Sequence, residues 1–119
     1  MSSFFIPYLP AGLNVLLRKH WTRRSQERDT VAGYVWNAVR EAGIKRPRLP
    51  VRIIFERFYA SRALDPDNAA ASAKYVLDAL VREQILPDDT PAVIEEFTVK
   101  QTKVGHRKDQ GVRVTIEEM

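Results

Sequence analysis

Apolar and polar residues alternate along Val112-Arg-Val-Thr-Ile-Glu117, the period-two signature of a strand with one buried face. Val51 to Tyr59 is dense in branched and aromatic residues and predicts another strand. Phe4 to Tyr8 predicts a short one, placed at an edge because Pro7 has no N–H to give to a ladder. Val93 to about Val104 reads the same way. Between these runs the spacing changes to that of a helix. Val31, Tyr34, Val35, Ala38 and Val39 recur at helical intervals within a segment from about Ser25 to Ala42, with Gly43 as its C-terminal cap. Pro66 opens a second helix running to about Gln84, on which Ala69, Ala73, Val76, Leu77 and Leu80 share one sector and make the buried face. The connections are short and rich in Pro, Gly and Asp. The order β-α-β-α-β-β predicts an α+β fold, one domain over residues 1–119 with a mixed β-sheet packed against two α-helices.

Length and composition agree with a single globular domain: 119 residues, 45% hydrophobic and 29% charged. The longest uncharged apolar runs are only a few residues, too short to span a bilayer. The N-terminus lacks the basic start and long apolar stretch of a signal peptide, so a cytoplasmic protein without membrane partners is expected. The absence of cysteine removes disulfides, thiolate nucleophiles and cysteine-type zinc sites, and two distant histidines, His20 and His106, do not make a His-rich metal site.

The net charge of +4 matters less than its distribution. Arg18, Lys19, Arg23, Arg24 and Arg28 face only Glu27 in their stretch, a surplus as large as that of the whole chain. Lys100 and Lys103 begin a second basic run, and the acids collect at Asp65, Asp67, Asp78, Asp88 and Asp89. Basic flanks around an acidic centre suit a polyanion held near a cation pocket. The basic segment would hold phosphates, with Trp21 available to stack on an unpaired base.

At about 100° per residue, Asp67, Ala71, Lys74 and Asp78 fall on one narrow stripe of the second helix, away from its buried face, and Asp65 just ahead of the helix reaches the same side. Taken singly these residues have ordinary structural roles: Asp67 as an N-cap, Lys74–Asp78 as a helical ion pair, Asp88-Asp89 as turn chemistry. Taken together they predict converging carboxylates, which repel unless they share a cation. Oxygen ligands of this kind suit Mg²⁺ or Mn²⁺, ions that activate water and neutralise charge on a phosphoryl group. A neighbouring lysine would stabilise the developing charge. An EF-hand loop from Asp65 fails at Ala69, Ala70 and Val76, and no phosphate-binding glycine cluster exists.

The string Asp65-Pro-Asp67-Asn68, then Lys74, then Leu77-Asp-Ala-Leu80, then Asp88-Asp89 resembles the RusA-type Holliday junction resolvases, many of them carried by phages and prophages. Leu13-Asn14 and His20-Trp21 look like phage members of that group. The resemblance implies a homodimeric, Mg²⁺-dependent endonuclease that cuts branched DNA in recombination and repair, with Mn²⁺ able to substitute and no small-molecule cofactor. Carried over by position, it implies Asp65, Asp67 and Asp89 as metal ligands and Lys74 as catalytic lysine, with Asp78 and Asp88 as further acids of the motif. Five residues separate Asn68 from Lys74 where the family's best-known pattern has two. Three extra helical residues add about 4.5 Å and nearly a full turn. The other readings of the same residues are a non-catalytic binder of branched DNA and a metal-dependent ribonuclease.

Overall fold

The protein's structure, a computed structural model, describes residues 1–10 and 21–119, with the side chains of residues 21–24 outside the description. In chain order it contains β1 (Ser2–Ile6), α1 (Trp21–Ala42), β2 (Val51–Tyr59), α2 (Pro66–Arg82), β3 (Ile94–Lys103), a 3₁₀ turn (Arg107–Asp109) and β4 (Gly111–Glu118). This is the expected β-α-β-α-β-β order. The four strands form one sheet in the order β1-β4-β2-β3. β4 runs antiparallel to β1 and β2, whereas β2 and β3 are parallel. Parallel neighbours need a crossover, and α2 supplies it. The start of α2 is therefore set at the carboxyl end of β2.

The period-two alternation sorts the sheet into two faces. Val51, Ile53 and Phe55 of β2, Val112, Val114 and Ile116 of β4, and Phe4 and Ile6 of β1 are buried. The intervening Arg52, Ile54 and Glu56 keep partial exposure. Both helices accordingly lie on one face. α1 adds Val31, Val35, Ala38 and Val39 to the core, and α2 adds Ala73, Val76, Ala79 and Leu80. Leu77, expected in the buried sector, is only half-buried, while Ser72 and Ala79 are buried instead. The stripe is rotated because α2 packs against α1 as well as the sheet, and small residues suit that close approach.

Two boundaries differ from expectation. α1 is already helical at Trp21, the first described residue after position 10 and about one turn ahead of the expected Ser25, since Arg, Gln and Glu are good helix formers even without an apolar pattern. β1 is Ser2–Ile6 rather than Phe4 to Tyr8, because the ladder with β4 ends at Ile6, just before Pro7. It does lie at the sheet edge. Gly43 caps α1 as expected, with φ +65° and Ile44 N–H donating to the Val39 carbonyl at 3.0 Å.

Gly111 opens β4 where the backbone of β1 comes close. A Cβ there would run into the Ile6 carbonyl oxygen and the Phe5 ring. The carbonyl is backbone and cannot turn aside. Gly111→Ala is expected to destabilise the fold by about 1–3 kcal/mol, read as a lowered urea midpoint with unchanged m-value. Among the described residues no helix is long and apolar enough to cross a membrane.

Candidate functional site

Asp65 occupies the N-cap of α2 in extended conformation (φ −61°, ψ 153°), but its side chain makes no capping hydrogen bond. The cap expected at Asp67 is thus displaced by two residues: Asp67 sits in the first turn, where its charge faces the positive end of the helix dipole. Pro66 has no N–H to offer, and the first intrahelical bond runs from the Ala69 N–H to the Asp65 carbonyl at 2.9 Å. Both carboxylates are exposed, and neither makes a hydrogen bond or ion pair with a described residue. Because α2 is continuous from Pro66, the extra residues before Lys74 lie inside the helix. Lys74 follows Asp67 by seven positions, which places it about 10 Å farther along nearly the same side.

Around Lys74 the motif closes on itself. Its Nζ lies 3.0 Å from Asp78 Oδ1, the helical pair that the spacing predicts, and 2.8 Å from Asp89 Oδ2 across the turn after α2. The Asp89 N–H donates to Asp88 Oδ1 at 2.7 Å, so the predicted turn chemistry is also present and orients Asp89. The hydrogen bond from Lys74, reinforced by its charge, holds the Asp89 carboxyl below the ordinary aspartate value. Asp89 first, then Asp78, holds the Lys74 ammonium above the ordinary lysine value. Both partners are charged at neutral pH, and the ammonium has a third N–H beyond the two carboxylates.

Among the described residues, no three acidic or histidine side chains stand close enough to share a metal ion. Asp78 and Asp89 do converge, but on an ammonium. Asp65 and Asp67 remain two turns away. Mg²⁺ commonly takes one or two carboxylates and completes its shell with water and substrate phosphates. Of the acids of the motif, Asp65 and Asp67 are exposed and pair with no described residue.

The second group of predicted residues divides. Arg18 and Lys19 lie outside the described residues, as do the side chains of Trp21, Arg23 and Arg24 in the first turn of α1. Arg28 is exposed and lines an open cleft of about 620 Å³ between the helices, together with Ala71, Lys74, Tyr75, Asp78 and Arg82. Glu27, the one acid of the basic stretch, is turned inward: it is buried and accepts a hydrogen bond from the Tyr8 hydroxyl at 2.7 Å. Burial, and then this bond, raise the Tyr8 hydroxyl far above the ordinary tyrosine value. Lys100 and Lys103 do not converge. Lys100 sits opposite Glu56 on the uncovered face, and Lys103 sits opposite Tyr59 on the other.

Arg82 also belongs to this face, since Lys74, Asp78 and Arg82 follow one another at four-residue spacing, a signal legible in the sequence. Its guanidinium is 3.4 Å from Asp29 of α1, at the rim of the cleft. Arg57 occupies an inward slot of the alternating strand β2, a position equally legible in the sequence. No protein-family model and no curated protein matches the chain.

Proposed function

We propose that the protein is a metal-dependent endonuclease that hydrolyses phosphodiester bonds. The observation that carries this reading is Lys74, held between Asp78 and Asp89 on the helix stripe that begins with Asp65 and Asp67. Its most specific form is a resolvase of branched DNA acting in the cytoplasm, which the DPDN–Lys–LDAL–DD string supports by its resemblance to the RusA-type enzymes.

In this reading Asp65 and Asp67 would hold Mg²⁺, or Mn²⁺ in its place, while Asp89, paired with Lys74 two turns away, serves the lysine and not the ion. The ion, when bound, supplies an activated water and neutralises charge on the phosphoryl group. Lys74 offers its remaining N–H to a phosphate oxygen, and Asp78 and Asp89 keep the ammonium charged and aimed. Arg28 and Arg82 at the cleft hold a neighbouring phosphate. Cutting a four-way junction symmetrically calls for two sites related by a two-fold axis, so a homodimer is the economical assembly.

Cleavage assays on junction DNA, duplex DNA and structured RNA, run side by side in Mg²⁺, test the proposal. Junction-selective cutting supports it. Binding without cutting would favour a non-catalytic binder, and cutting of RNA alone a ribonuclease. The cleft makes a separate claim. Arg28→Ala with Arg82→Ala should weaken junction binding and flatten its salt dependence, each lost contact lowering the log–log slope by roughly 0.9. An unchanged slope would return both arginines to the solvated surface.

A further inference from the structure

β3 forms one edge of the sheet and pairs with β2 along a single side. Among the described residues, no backbone group outside that ladder bonds to residues 95–103. Its other side therefore presents a row of backbone N–H and C=O groups along a ten-residue strand. β1, the opposite edge, is protected by its five-residue length and by Pro7 just beyond it. β3 has neither shortness nor proline. It does carry charge, but the charge is sorted: Glu95 and Glu96 come first, Lys100 and Lys103 last. A guard of one sign would repel a second copy in every orientation. Sorted charge repels a copy that runs parallel and attracts one that runs antiparallel.

The apolar residues of β3 point to the same occupant. Phe97 lies opposite Ile53 and Val99 opposite Phe55, on the face that the helices cover. Ile53 and Phe55 are each 1% exposed, but Phe97 is 37% exposed. The helical layer thus ends over β2, and the apolar pair at the sheet edge is left half bare.

Antiparallel pairing of two β3 strands about a two-fold axis sets one residue opposite itself. With Thr98 on the axis, Thr98 meets Thr98 of the second copy, Phe97 meets Val99, and Glu96 meets Lys100. The last two pairs occur twice. Hydroxyl with hydroxyl, aromatic with β-branched and opposite charges are the cross-strand pairs that stabilise antiparallel sheets. They also sort by face, Phe97 and Val99 on the helix side and Glu96, Thr98 and Lys100 on the uncovered side. Moving the axis to Val99 sets Phe97 against Gln101, whose amide is turned to the Leu64 backbone. Moving it to Phe97 sets Glu95 against Val99 and leaves Glu96 without a lysine.

We propose that a second copy of this chain pairs with β3, antiparallel and with Thr98 at the two-fold axis, joining two four-stranded sheets into one of eight strands. The pairing stands on β3 alone. That it brings two cleavage sites into one particle rests on the endonuclease reading. A single strand edge is a small interface, so a dimer that dissociates on dilution is expected.

The test is sedimentation of the DNA-free protein across a concentration series, with cross-linking to read the register. The wild type should be a dimer at the upper end of the series. Thr98→Lys and Thr98→Glu each alter an exposed side chain, so both should fold, while like charges on the axis weaken the dimer by about a hundredfold. Mixed in equal amounts, the two variants should dimerise again, which a damaged fold would not do. The chain has no cysteine, so introduced cysteines report distance directly. Opposed Cα atoms lie about 4.5–5.5 Å apart, within the reach of a disulfide. Thr98→Cys should therefore oxidise to a covalent dimer. Lys100→Cys, displaced from the same position in the second copy by about 13 Å along the strand, should not. It should instead cross-link to Glu96→Cys. A wild type still monomeric at about 1 mM overturns the proposal. So does a dimer indifferent to both Thr98 charges, or a disulfide that forms in Val99→Cys and not in Thr98→Cys. A monomer that cuts junctions would remove this pairing and leave the endonuclease reading. A dimer of this register that cuts none would sink the endonuclease reading and leave the pairing standing.

Discussion

Asp65→Asn and Asp67→Asn will each lower cleavage of a four-way junction in Mg²⁺ by at least about 10³-fold, since several kcal/mol of transition-state stabilisation depend on the ion they would hold. Binding of the junction should be kept or slightly strengthened, because each change also removes a negative charge that repels phosphate. The fold should barely notice. Both side chains are exposed and unpaired among the described residues, and the interaction of Asp67 with the helix dipole is worth only about 0.3–1 kcal/mol. Single-turnover cleavage beside a binding isotherm and a melting curve separates these effects. Turnover near that of the wild type in either variant would remove the acidic pair from the chemistry. A melting temperature lowered by many degrees would make the acids structural.

Lys74→Ala will lower the single-turnover rate on a saturated junction by about 10²–10³-fold, the size of loss seen when one donor to a developing charge is removed. Junction affinity should change little, since one phosphate contact among many contributes modestly. Lys74→Arg should rescue poorly, because a planar fork cannot replace a compact ammonium held between two carboxylates. The competing expectation is a surface ion pair and nothing more. Its loss would be worth only about 0.2–0.5 kcal/mol for the helical pair with Asp78, and the rate would stay within about threefold.

The pH profile of Lys74 follows from the directions of the two shifts. The lysine is raised, so its contribution is complete below the ordinary lysine value and is lost as the pH climbs through its folded one. Asp89 is lowered, so its contribution is complete above the ordinary aspartate value and is lost as the pH falls through its folded one. Neither group should therefore titrate in the cleavage profile between about pH 6 and 9.

Sequence alone determined what repeats locally. The two-residue alternation of β2 and β4 and the helical recurrence of Val31, Val35 and Val39 are short-range patterns, and the elements formed where those patterns lie. Pro66 at the first helical position and Gly43 past the last followed from their own backbone preferences. The Lys74–Asp78 pair was legible for the same reason, since four residues make about one turn.

Tertiary structure decided everything that depends on distance across the chain. The placement of β3 beside β2 in parallel came from the crossover by α2, and with it came the reach of Asp89 back to Lys74, fifteen residues away. Convergence of all the carboxylates was an expectation from shared helical phase alone. Phase does not fix height, and a continuous α2 keeps Asp65 and Asp67 about two turns from Lys74. Glu27 could be counted as a surface acid until the packing of α1 buried it against Tyr8. Arg57 shows the same limit most sharply. Its inward position was written in the strand alternation, but its want of a partner was not. That was settled only when folding set it between Val112, an apolar side chain, and Gln101, whose amide is turned to the Leu64 backbone.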